Sequence, residues 1–172
     1  NQTACTGAVL QMLSHGLMTA LFFALSGMIY GRTHTRDIRE LSGLMKIMPF
    51  LAVCYVIAGL ANLGLPGLSG FVAEMTIFTG SFQHPDTFHR VWTIIACSSI
   101  VVTAVYILRL IGKILYGTCT NKHHLILTDA TWDERTAVIL LIACVAALGM
   151  APWWISSMIG DSVLPITKLF TI

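Results

Sequence analysis

The chain has 172 residues, 56% hydrophobic and only 10% charged, with a formal net charge of +2, whereas soluble domains carry about 25% charge. Lipid is therefore the expected solvent for most of it, and its ten scattered basic residues exclude the dense phosphate-contacting surface of a nucleic-acid binder. Five cysteines with no CxxC and no histidine at a zinc spacing read as small packing residues, not as a disulfide framework or a metal site.

Four apolar stretches are long enough to cross a hydrocarbon core of about 30 Å, which takes roughly 20 helical residues. They cover about residues 5 to 30, 49 to 82, 90 to 116 and 136 to 155, and predict an all-α membrane protein with no separate soluble domain. The chain opens at Asn1 with no initiator Met and no charged n-region, so it reads as a fragment cut from something longer.

In the first span His15 lies about ten residues from the end, roughly 15 Å deep. Histidine changes protonation near pH 6.5 and relays protons through either ring nitrogen, so His15 is either a proton carrier or a hydrogen-bonded core residue. Ser14 and Thr19 beside it either hold a water or bond to the helix backbone. The loop that follows, residues 31 to 48, carries Arg32, Arg36, Arg39 and Lys46. Its segment from Thr35 to Glu40 mixes both signs of charge, which suits an interfacial loop or a docking surface.

Residues 49 to 82 would measure about 51 Å as one straight helix, far more than a single crossing requires. The interruption is written at Gly64-Leu65-Pro66-Gly67-Leu68-Ser69-Gly70. There Pro66 removes a backbone donor, and Gly64, Gly67 and Gly70 permit unwinding. Either the helix is discontinuous, as at transporter ion sites, or it carries a simple proline kink. Glu74 follows the break, about nine residues from the outer end of the span and roughly 14 Å deep. An acid at that depth costs on the order of 3 kcal/mol even on a lenient insertion scale, so a function or a partner is expected. A carboxyl held in low dielectric can exchange a proton near neutral pH. The structural alternative is a static pair with a basic residue elsewhere in the parent protein.

In the third span Arg109 and Lys113 stand four residues apart, flanked by Tyr106 and Tyr116. They either snorkel to the headgroups or border the inner entrance of a proton path. His34, His84, His89, His123 and His124 fall in loops, where solvation is the default. The last span ends near Trp153 and Trp154, which suit an aromatic interface belt. Basic residues set orientation: Arg32, Arg36, Arg39, Lys46, Arg109, Lys113, Lys122 and Arg135 gather on one side, with Arg90 and Lys168 opposite. Loops 31–48 and 117–135 are therefore expected to face the cytoplasm. The Gly67-Leu68-Ser69-Gly70 run also has the form GxSG of a serine hydrolase, with His15 as base. A four-residue match is weak, and rhomboid-type proteases place the serine helix before the histidine helix, opposite to the order here.

Three segments taken together resemble one family: Ser14-His15-Gly16-Leu17, the loop Arg32-Thr33-His34-Thr35-Arg36-Asp37, and the run from Gly64 to Glu74. The resemblance is to the C-terminal third of membrane subunit M, or chain 4, of proton-pumping NADH:quinone oxidoreductase, respiratory complex I. It is strong over residues 8 to 116 and looser beyond. It implies a bundle of about fourteen helices, of which residues 1 to 172 supply the C-terminal part of one transmembrane domain and its last four spans. By the same resemblance, His15 matches the histidine of a central polar axis and Glu74 the acid that ends the route toward the outer half-channel. Sister pump subunits and related cation/proton antiporters typically carry Lys at the Glu74 place, which favours subunit M.

The resemblance further implies a bacterial-type plasma membrane and partners among the other membrane subunits of the complex, including the sister antiporter-like subunits. NADH, FMN, iron-sulfur clusters and quinone would be handled by partner subunits, with no cofactor in this chain. Alternatives within reach are a subunit of a cation/proton antiporter or membrane-bound hydrogenase, a photosynthetic-type relative, and a structural scaffold.

Overall fold

A computed structural model describes residues 1–119 and 122–169. Thr120 and Asn121 of the second basic loop, and the Lys122 side chain counted among the basic flanks, lie outside the described residues. Among the described residues seven α-helices run in chain order: α1 (Gln2–Thr33), α2 (Leu44–Ile47), α3 (Pro49–Asn62), α4 (Ser69–Phe82), α5 (Thr87–Leu115), α6 (Trp132–Met150) and α7 (Trp153–Leu169). A 3-10 turn, Lys122–Ile126, precedes α6, and no strand occurs among the described residues.

The helix ends follow from local chemistry. The Asn1 side chain accepts from the Thr3 N–H to start α1, and His34 stops it in the left-handed region at φ 52°. Pro49 opens α3, where its missing donor costs nothing. Asp86 caps α5, and Thr131 with Glu134 forms a capping box for α6. Along α1 the buried positions Leu10, Ser14, Met18, Leu21, Leu25 and Ile29 recur every three or four residues, one stripe of a 3.6-residue helix. Leu21 and Leu25 pack with Leu44, Met48, Leu51, Tyr55, Leu115 and Val138 into the main apolar cluster. Elsewhere large apolar side chains face outward, including Phe23, Trp92, Val101, Val102 and Leu140, as expected for faces that meet lipid or neighbouring helices.

Among the described residues two helices, α1 and α5, are long and apolar enough to cross a membrane singly. The predicted second crossing is α3 plus α4, separated by the break. The fourth differs from the sequence expectation. A span running to residue 155 overshoots: α6 stops at Met150, and α7 leaves at a bend of 72°. Pro152 has no N–H to continue the ladder, and Ala151 sits at φ −128°, outside the helical region. Trp153 and Trp154 thus belong to the start of α7, a helix the hydropathy reading left unassigned.

Small residues set the closest contacts. A Cβ on Gly7 would lie 2.7 Å from the Ile77 nitrogen, and one on Gly80 would strike the Ala4 backbone, so α1 and α4 run side by side almost backbone to backbone. Gly149, near the end of α6, presses in the same way on Gly67 and Leu68. Gly149 thus covers the break from the α6 side, while Leu65, Pro66 and Gly67 stay exposed among the described residues.

Candidate functional site

The break spans residues 63–68, with Gly64 at φ +64° and Gly67 at φ +94°. Both angles favour glycine, and Pro66 between them forbids an uninterrupted helix. Gly70, read from the sequence as part of the break, instead lies inside α4. Its use is proximity: a Cβ there would come 2.8 Å from the Ala61 carbonyl oxygen. The turn closes on itself through Leu63 N–H to Gly59 O, Gly64 N–H to Ala61 O and Leu68 N–H to Leu65 O.

Glu74 stands in the second turn of α4 and its carboxylate folds back over the break. An added Cβ on Gly64 would meet Glu74 Oε2 at 2.5 Å. The same side chain lines a cavity of about 120 Å³ with Asn62, Leu63, Phe78, Ser99, Ile100 and Thr103, so that α3, α4 and α5 all contribute. Glu74 forms no ion pair or hydrogen bond among the described residues. The static pair considered for it would draw its basic member from elsewhere in the parent protein.

His15 is exposed on this chain, and its ring lies 3.4 Å from the Thr19 hydroxyl one turn along α1. Ser14, its neighbour, is buried and donates to the Ser69 hydroxyl at 2.7 Å. That bond ties α1 to the first residue of α4 and gives the GxSG serine a serine, not a histidine, as partner. The antiparallel register, Ala4 against Gly80, Gly7 against Ile77 and Ser14 against Ser69, does not bring His15 level with Glu74. His15 lies level with Ser69, five residues or about 7.5 Å along the helix from Glu74, where the sequence placed the two at matching depth. Gln11, one turn before His15, buries Oε1 without a partner among the described residues. Sequence reading followed charged and titratable side chains, and an uncharged amide is neither.

Arg109 and Lys113 are exposed and border a shallow cleft with Arg36, Asp37, Arg39 and Tyr106. They face the loop at the basic end, away from the Glu74 cavity. At that end Arg32 is fully engaged: it donates to the Met28, Thr128 and Asp129 carbonyls and pairs with Glu134. The Arg32 guanidinium, with the Thr131 N–H, holds the Glu134 carboxyl at about 2, below its usual 4.5. Asp129 accepts from the Phe50 and Leu51 N–H groups and so caps α3 across the chain. Arg135 lies over the Phe50 and Trp132 rings. Of the histidines placed in loops, His124 is buried, and His89 lies instead in the first turn of α5, exposed and paired with Asp86. The Phe88 N–H, then His89, hold the Asp86 carboxyl below its ordinary value. Among the described residues no group of three or more His, Cys, Asp or Glu could hold a metal.

A family model described as "NADH:quinone oxidoreductase/Mrp antiporter, TM" matches residues 1–105. The NAD(P)H-quinone oxidoreductase chain 4 of Synechococcus elongatus is 38% identical over 154 residues, 88% of this chain and 29% of that protein. The NADH-quinone oxidoreductase subunit M of Rhodobacter capsulatus is 35% identical over 98% of this chain and 32% of its own length. The chain thus spans about a third of these relatives. In fold it is similar to a chain of respiratory complex I from Thermus thermophilus, with a TM-score of 0.81 at 24% identity, covering 93% of this chain and 34% of that one. A chain of the Mrp complex from a Dietzia species gives 0.79 at 17% identity, with 93% and 37% covered.

Proposed function

This chain belongs to the transmembrane family shared by NADH:quinone oxidoreductases and Mrp antiporters, and from that premise we propose that it is the C-terminal third of a proton-translocating subunit whose carrier is Glu74. One observation supports this above the rest. The Glu74 carboxylate lies beside a broken helix, against a small polar cavity, with no counter-ion among the described residues. A structural acid would be expected to hold a salt bridge at such depth; a carrier must be free to change charge.

In this reading His15 supplies the proton and Glu74 releases it outward. The offset between them requires at least one intermediary, for which water is the natural choice. Arg109 and Lys113, in their exposed cleft, belong to the inner surface of the subunit. Loops 31–48 and 117–135 meet there, through Ser42 to Thr118 O and Arg32 to Glu134, consistent with one basic face directed to the cytoplasm of a bacterial-type membrane. The partners are the other membrane subunits of the complex, sister antiporter-like subunits included. NADH, FMN, iron-sulfur clusters and quinone belong to partner subunits, and no redox step falls to this chain.

A second reading, a subunit of a cation/proton antiporter, draws on the family description and on the fold shared with the Mrp complex. Glu at position 74 favours the oxidoreductase. The test is Glu74→Gln in the full-length subunit within the assembled complex. Proton pumping per electron pair falls if Glu74 is the carrier; unchanged stoichiometry overturns the proposal.

A further inference from the structure

The cavity beside Glu74 has walls that the proton-carrier reading does not use. Ser99 donates its hydroxyl hydrogen to the Ala96 carbonyl at 2.6 Å, and Thr103 donates to the Ser99 carbonyl at 3.1 Å. With their hydrogens spent on α5 itself, both hydroxyls offer the cavity lone pairs only. Asn62 gives one amide hydrogen to the Ala58 carbonyl at 2.8 Å and keeps its own carbonyl oxygen and second hydrogen. The cavity is thus lined by three neutral polar side chains, one from α3 and two from α5, that accept more bonds than they donate. Leu63, Phe78 and Ile100 close it with apolar surface.

Such a wall suits a species rich in hydrogens. A water needs roughly 10–15 Å³ of accessible space and two to four polar partners, and the cavity of about 120 Å³ meets both conditions for a short chain of waters. Hydroxyl lone pairs hold each water by its hydrogens and turn its oxygen toward the one acid present. Ser99 is exposed on α5, on the side of the chamber away from α4.

We propose that Asn62, Ser99 and Thr103 are positioning residues that hold the water to which Glu74 gives its proton. The step breaks the carboxyl O–H bond and forms an O–H bond on that water. The electron pair stays on the Glu74 oxygen, leaving a carboxylate and a protonated water whose positive charge the hydroxyl and amide oxygens stabilise. A proton arriving from the His15 side restores the acid. That water lies between α4 and α5, among side chains contained in this chain.

This inference rests on the reading of Glu74 as carrier, and its test separates the two. Ser99→Ala with Thr103→Val, and Thr103→Ser alone, are made in the full-length subunit of the assembled complex, beside Glu74→Gln. Proton pumping per electron pair is measured, together with the infrared carbonyl band that Glu74→Gln removes. The expected result is a several-fold loss of pumping in the double variant, with the Glu74 band moved to higher frequency as its waters leave. Thr103→Ser, which keeps the hydroxyl, retains pumping and band position. If the double variant pumps normally with an unshifted band while Glu74→Gln does not pump, the chamber is wrong and the carrier stands. If Glu74→Gln pumps normally, the carrier reading and this inference fall together.

Discussion

Gly64→Ala separates the backbone role of the break from its contact with Glu74. Gly64 sits at φ +64°, where an alanine costs roughly 1–2 kcal/mol. Its new Cβ would also lie 2.5 Å from Glu74 Oε2 and 3.2 Å from Cδ, where ordinary contact begins at 3.4 Å. The carboxylate must therefore retreat by about 1 Å, and a displacement of that size at a reacting group can cost on the order of 100-fold in rate. Gly67→Ala is the control: Gly67 is at φ +94° in open space, so it takes a backbone penalty without touching Glu74. Thermal unfolding of the purified complex and proton pumping in vesicles are measured for both. Both variants are expected to lose stability by a similar amount, and only Gly64→Ala to lose pumping. Equal pumping in the two variants would refute the claim that Gly64 is glycine to make room for the acid.

Three further predictions concern how the helices are held. Arg32→Gln should lower thermal stability at pH 7 by about 2 kcal/mol, since it removes charge-assisted bonds to Glu134. Because Glu134 is held at about 2 in place of 4.5, that stabilisation is fully present above pH 4.5. It is lost as pH falls toward 2, so the gap between variant and parent should close over that window. Asp129→Ala should cost about 1 kcal/mol by uncapping α3, and Asp129→Asn much less, read from melting temperatures. Ser14→Ala and Ser69→Ala should each cost about 1–3 kcal/mol by stranding a buried hydroxyl, and the double variant should cost less than their sum. A strictly additive cycle would mean that the 2.7 Å bond contributes nothing.

Hydropathy and the Gly/Pro punctuation made most of this fold legible. Residues 2–33 and 87–115 announce themselves as spans because lipid demands continuous apolar helix, and Pro66 between Gly64 and Gly67 announces a break because no uninterrupted helix tolerates that run. What stayed hidden depends on three-dimensional register. Gly70 reads like the other glycines of the break, yet only the packing of α4 on Ala61 shows that it serves closeness. Counting residues inward from a shared face put His15 and Glu74 at one depth; the stagger of α1 on α4 separates them. Asp129 carries no local signal, because a cap donated from a distant loop is invisible in the segment it caps. Glu74 itself was legible from cost alone, while its cavity required the approach of α5.

The measurement that bears most directly on the central claim is infrared difference spectroscopy of the working complex, with the Glu74 band assigned by its loss in Glu74→Gln. A carrier must alternate between acid and carboxylate, so a carbonyl band is expected to appear and vanish with turnover. A Glu74 that stays in one protonation state throughout contradicts the account.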